Sequence, residues 1–223
     1  DCKLFRVDSK TGTVTDLTRG SRRNANNPSD PGGRLGPYTE DGSPDLRNLG
    51  VYHALLNRGD LLMVMSDGVH DNFDPEMLGC PPSMCGITGL LEDDWELVPS
   101  RLAIDHKASF MEETMTNKVR TLMEEAQKGS QVFLKGNQDR TPQTTPREET
   151  ELADMPWVLA NGLLTHCMNS NQASRRFMEE NPTVPLPCNY EEYPGKMDHS
   201  SCLIMRVGDP RASLPIKSFA MSL

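Results

Sequence analysis

Apolar residues fall in short runs in the first third of the chain and recur at three- and four-residue spacing in its second half. Leu61-Leu-Met-Val-Met65 stops abruptly at Ser66-Asp67-Gly68. A short apolar run bounded by turn residues predicts a strand buried on both faces. Val51 to Leu56 predicts a preceding strand, joined to it through Arg58-Gly59-Asp60 as a hairpin. Cys2–Val7 and Thr13–Leu17 predict an earlier hairpin across Asp8–Gly12, and Ser201–Val207 a final strand approached through Gly195-Lys-Met-Asp-His199. Leu102, Ile104, Phe110, Met111, Met115, Val119, Leu122 and Met123 predict an amphipathic helix within 100–127. Trp157, Leu159, Leu163, Leu164, Cys167 and Met168 predict a second over 152–180, with Pro156 in its first turn. Asp74-Pro75-Glu76 reads as the start of a short helix cut off at Gly79.

The remaining segments are polar or irregular. Residues 18–43 read as a long loop containing Pro31-Gly-Gly-Arg-Leu-Gly36, residues 80–98 as irregular, 128–151 as a surface insertion and 209–223 as a loose tail. Strand runs and helix runs are segregated, which predicts an α+β fold with no alternating βαβ units.

Composition narrows the function classes. A chain of 223 residues can hold one domain with a real core or two small ones. A net charge of -9 argues against nucleic acid as the main partner. No apolar run approaches the roughly 20 residues needed to span a bilayer. The chain opens on Asp1-Cys2-Lys3, with no initiator Met and no apolar leader, so a fragment or processed chain is expected. Cys2, Cys167 and Cys202 lie in apolar-patterned stretches and are expected to be reduced core residues in an intracellular setting. Cys80 and Cys85 come closer to a metal-ligand spacing, but no second Cys or His pair follows them.

The candidate chemistry lies at the carboxyl end of the 61–66 strand, which delivers Asp67 and Asp71. Carboxylates there are costly unless a positive group meets them, and their oxygens suit hard cations such as Mg²⁺ or Mn²⁺. Asp67 before Gly68 also suits a plain turn. Ser66 has no nucleophile elbow around it. His199 neighbours Asp198, and adjacent strand residues face opposite sides, so a structural role is expected for it. His70, His106 and His166 are expected to pack, and Lys196, which its loop could place near a phosphate, to be solvated.

Val64-Met-Ser-Asp-Gly-Val-His-Asp71 resembles the Ser-Asp-Gly-x-x-Asp motif of the metal-dependent protein phosphatases of the 2C type. Gly195-Lys-Met-Asp-His-Ser-Ser-Cys-Leu-Ile-Met-Arg-Val207 resembles the same family's final Asp motif and last core strand. Asp1 to Val7 and the following Val14-Thr-Asp-Leu-Thr18 resemble its Gly-Asp-Ser-Arg strand and hairpin, and Gly32-Gly33 a Gly pair in its flap. The resemblance covers about residues 1–79 and 152–207, with 80–151 longer than the family's usual connection. His199 stands where Asn or Asp is common, and His70 where an aromatic is common.

The resemblance implies a four-layer α-β-β-α sandwich, here its C-terminal part (residues 1–208, with an insertion at about 80–151). It implies Asp67 and Asp198 as ligands of one metal, with Asp71, Asp1 and Asp67 at a further, weaker position. The implied activity is hydrolysis of phosphoserine or phosphothreonine in a phosphoprotein substrate by water activated on Mg²⁺ or Mn²⁺. The family's early Asp, its phosphate-binding Arg and its Asp-Gly-His-Gly-Gly motif do not occur in the chain. By itself it is therefore expected to bind metal weakly and to be inactive. A pseudophosphatase or scaffold of the same fold is the alternative.

Overall fold

The computed structural model describes residues 2–21, 38, 40–44, 46, 49–135, 147–187 and 189–208, with 129–135 and 147–154 described as helix backbone alone. The fold is α+β. Strands β1 (Cys2–Val7), β2 (Val14–Asp16), β3 (Leu61–Ser66) and β4 (Cys202–Arg206) form an antiparallel sheet in the order β2-β1-β3-β4. Against it pack α2 (Ser100–Lys135) and α3 (Arg147–Ser170). One-turn α1 (Asp67–His70) follows β3, and α4 (Gln172–Glu180) follows α3. No helix among the described residues is long and apolar enough to cross a membrane.

The core lies between sheet and helices. Phe5, Val7, Leu61, Met63 and Met65 meet Met111, Met115, Val119 and Leu122 of α2 and Leu159, Leu163 and Cys167 of α3. Alternation along each strand sends every second side chain to this layer. The other face carries Leu62, Val64, Leu203 and Met205, and the two β4 residues are exposed. Strand β3 is thus fully buried on one face and half-buried on the other, not buried on both as its unbroken apolar run predicts.

Several expectations are corrected. Val51–Leu56 is irregular and not a strand, and Val51 and Leu55 face outward. Its expected partner has no free edge: β3 pairs with β1 from Cys2↔Ser66 onward and with β4 from Met65↔Cys202 onward. The Gly59 turn bonds to the end of β4 instead, through Gly59 N to Val207 O and Val207 N to Asp60 O. Residues 74–79 form turn hydrogen bonds, such as Leu78 N to Asp74 O, without becoming a helix. Helix α2 runs on to Lys135 and α3 starts at Arg147, so both extend into the expected polar insertion and Pro156 is internal. Leu102, Trp157, Met168 and Cys2 are exposed, not core.

Two local features stabilise the frame. Edge strand β2 turns its outward N–H groups to α2: Val14 N donates to Thr116 Oγ1 (2.9 Å) and Asp16 N to Glu112 Oε1 (2.7 Å). Those two acceptors are four residues apart, one helical turn, which matches a two-residue step along the strand. Ile87, Trp95 and Val98 of the 80–98 segment form a second small core with Ala103 of α2. Lys107 sits over the Trp95 ring at 4.7 Å and pairs with Glu76.

Candidate functional site

The site forms where the end of β3 meets the segment leading into β4. Ser66 N donates to Ser201 O, Ser66 Oγ donates to His199 O, and Ser201 N donates to Ser66 Oγ. Ser200 Oγ donates to Gly68 O at 2.9 Å. Gly68 is required by this approach, because a Cβ there would stand 2.8 Å from the His199 carbonyl carbon and closer still to its oxygen. The Gly of the Ser-Asp-Gly run therefore lets two distant segments of backbone touch.

That contact places Asp67, Asp71 and Asp198 around one positive group, the ammonium of Lys196. Its Nζ lies 2.8 Å from Asp67 Oδ2, 3.0 Å from Asp71 Oδ2 and 3.6 Å from Asp198 Oδ2. Lys196 is thus not a solvated lysine, the role its position in a polar loop predicts. Asp71 is nearly buried, and its other oxygen lies 2.9 Å from His70 Nδ1. Burial raises the Asp71 carboxyl, but the His70 hydrogen bond and the charges of His70 and Lys196 outweigh it and hold it down at about 2. At Asp67 burial also raises the carboxyl, and Lys196 and the Gly68 N–H together bring it below the usual carboxylate range. Burial by itself would lower the Lys196 ammonium, whereas Asp67 and Asp71 raise it. Asp198 is the outermost acid, its Oδ1 accepting from His199 N at 2.7 Å.

The backbone of Lys196 is fixed from below. Asn72, fully buried, accepts from Lys196 N with Oδ1 and donates to Lys196 O with Nδ2, both at 3.0 Å. The Nδ2 group also donates to Gly68 O at 2.8 Å, so one amide ties the two acid-bearing segments together. Gly195 enters this clamp at φ 85, and a Cβ there would lie 2.7 Å from Asn72 Oδ1 and 3.0 Å from the Ser170 carbonyl carbon. The break between α3 and α4 falls at this crossing, where buried Asn171 reaches toward Lys196 O. His166 stacks on Phe73 with ring centroids 4.2 Å apart and has Nε2 3.0 Å from Asn72 O.

Asp67, Asp71 and Asp198 are therefore brought together, whereas Asp1, Gly32, Gly33, Cys188 and the tail from 209 lie outside the described residues. His199 points into solvent and His106 bonds Cys85 O. Cys80 and Cys85 are free thiols, and burial raises the latter to about 11. Sequence reasoning missed Asn72 and the engaged role of Lys196. Both are polar residues beside motif acids, and only their contacts mark them out.

The donor chemistry suits a hard divalent cation: carboxylate oxygens from two segments, one nearly buried, converge on a cationic group. Among the described residues no group of three or more His, Cys, Asp or Glu side chains is spaced to hold a metal ion as it stands, and the three carboxylates meet on the ammonium instead. Comparisons with protein-family models, with curated proteins and with solved structures returned no match.

Proposed function

We propose that the chain carries the C-terminal part of an intracellular, metal-dependent serine/threonine phosphatase domain of the 2C type, acting on phosphoproteins. The observation that carries this reading is the convergence of Asp67 and Asp71 from one motif with Asp198 from the other on a single cation, the Lys196 ammonium. In this reading the sheet and its helices are two layers of a four-layer sandwich. The outward sheet face, bearing Leu62, Val64, Leu203 and Met205, packs on a second sheet.

Asp67 and Asp198 would hold one Mg²⁺ or Mn²⁺ ion, and Asp71 and Asp1, with Asp67 again, would hold an ion at a further, weaker position. A bound ion of this kind supplies a nucleophilic water and neutralises charge on the phosphoryl oxygens. His70 keeps the Asp71 carboxylate oriented and charged. The Asn72 amide holds the Gly68 and Lys196 peptides at fixed separation, so that Asp67, Asp71 and Asp198 keep their spacing. Three carboxylates cannot fill two coordination spheres of about six oxygens each, so further ligands come from a segment that resembles the family's N-terminal half.

Equilibrium titration with Mn²⁺, read by the electron paramagnetic signal of the free ion, tests this. Asp67→Asn is expected to weaken binding at least tenfold, and equal affinity for the two proteins overturns the ligand assignment. Turnover of a phosphothreonine peptide by this chain alone would overturn the claim that its acids are part of a larger ligand set. A second reading, a pseudophosphatase or scaffold, is favoured by one observation: Lys196 already supplies a positive charge to the acids. A stably folded chain that binds no Mn²⁺, with or without Lys196, would decide for it.

A further inference from the structure

Among the described residues the other cations beside acids meet one or two of them, as Lys107 meets Asp74 and Glu76. Arg6 and Lys3 bridge sheet residues to the turn and strand acids Asp60 and Asp16. Lys196 instead spans all three candidate metal ligands with one ammonium. Its peptide is held on both sides by Asn72, and Gly195 before it is wedged against Asn72 and Ser170. The backbone therefore cannot carry the ammonium away, but the four-carbon side chain, 27% exposed, has an open route to solvent. A divalent cation held between Asp67, Asp71 and Asp198 would take up the space that the ammonium fills against their Oδ2 atoms. Two cations cannot share that space without repulsion.

We propose that Lys196 is a tethered counter-cation: its ammonium occupies the acid cluster, and a divalent ion must displace it to bind. This rests on the metal reading above and goes beyond it, since it makes metal loading a competition set by a residue of the chain itself. Lys196 is in this sense a positioning residue. It holds Asp67 and Asp71 around one positive charge before loading, and it raises the concentration of ion needed. The displaced ammonium remains tethered at the rim by its own backbone, which Asn72 holds in place.

The test is an Mn²⁺ titration of the whole chain and its Lys196→Met, Lys196→Arg and Asp67→Asn/Lys196→Met variants. Lys196→Met is expected to bind Mn²⁺ at least tenfold more tightly than wild type, Lys196→Arg to stay near wild type, and the double variant to lose the gain. Unchanged or weaker binding by Lys196→Met overturns this proposal and leaves the metal reading standing. Absence of Mn²⁺ binding in every protein, Lys196→Met included, overturns both. A second measurement needs no variant at the site. In ¹⁵N-lysine-labelled wild type, saturating Mg²⁺ is expected to move the Lys196 ammonium resonance to that of a solvated lysine. An ammonium resonance unmoved by Mg²⁺ that demonstrably binds overturns the displacement.

Discussion

The Asn72 side chain grips the Lys196 peptide at both of its polar atoms, accepting from N and donating to O at 3.0 Å each. This is the pairing pattern of a strand ladder, made by a side chain in a place where no strand runs. It joins the turn after β3 to the loop before β4 at the point where Asp67, Asp71 and Lys196 meet.

Asn72→Ala is expected to cost about 2–4 kcal/mol, because it takes from the Lys196 N–H its buried acceptor and from the Gly68 and Lys196 carbonyls one donor each, leaving them Ser200 Oγ and the longer Asn171 contact. Urea denaturation measures this. A loss below about 0.5 kcal/mol would mean that water replaces the amide freely.

Gly68→Ala introduces a methyl group against the His199 carbonyl, a backbone group with no rotamer to turn away. A loss of about 1–3 kcal/mol is expected from overpacking. The β3–β4 contact should loosen selectively. Amide exchange at Ser66 and Ser201, which pair across it, should speed up more than exchange at Phe5 in the core. Equal changes at all three would show a global effect instead.

The Asp71 carboxyl is held at about 2 in the fold, against 3.8 for the free group. A depressed acid adds stability that is complete above its unfolded value and disappears as pH falls through its folded value. The difference corresponds to about 2 kcal/mol, lost between roughly pH 5 and pH 2. Asp71→Asn should be less stable near neutrality and should show a correspondingly smaller loss over that acid range. Parallel curves for the two proteins would contradict the assignment.

His166 works in a higher pH window. Burial lowers its imidazole below 6.5 in the fold, with Lys118 adding to the effect and the Asn72 carbonyl opposing it. The neutral ring is favoured, so stability is full above about pH 6.5 and falls as the unfolded chain takes up a proton that the fold resists. Thermal melts from pH 7.5 to 5.5 should show a decline in wild type that is reduced in His166→Gln. An equal decline would place the titrating group elsewhere.

Much of the fold was legible in the chain. Period-two and unbroken apolar runs marked β1, β2, β3 and β4, and three-to-four spacing marked α2 and the α3–α4 region, because local periodicity reports which side of an element is buried. Helix ends were not legible, since polar residues continue α2 and α3 past their apolar stripes. The Val51–Leu56 strand failed because its pattern carried no information about which edges of β3 were taken.

For the site, the sequence by itself determined that Asp67 and Asp71 end a core strand and that Asp198 precedes another. Acid identity, turn glycines and strand pattern are local properties. Only the tertiary structure decided that β3 and β4 are neighbours, which brings the three acids together, and that Lys196 is the cation they meet. A lysine in a polar loop has the same local signature whether it is solvated or fixed. What distinguishes the two is Asn72, 124 residues away in the chain, and the energetic need of the nearly buried Asp71 carboxylate for a positive partner.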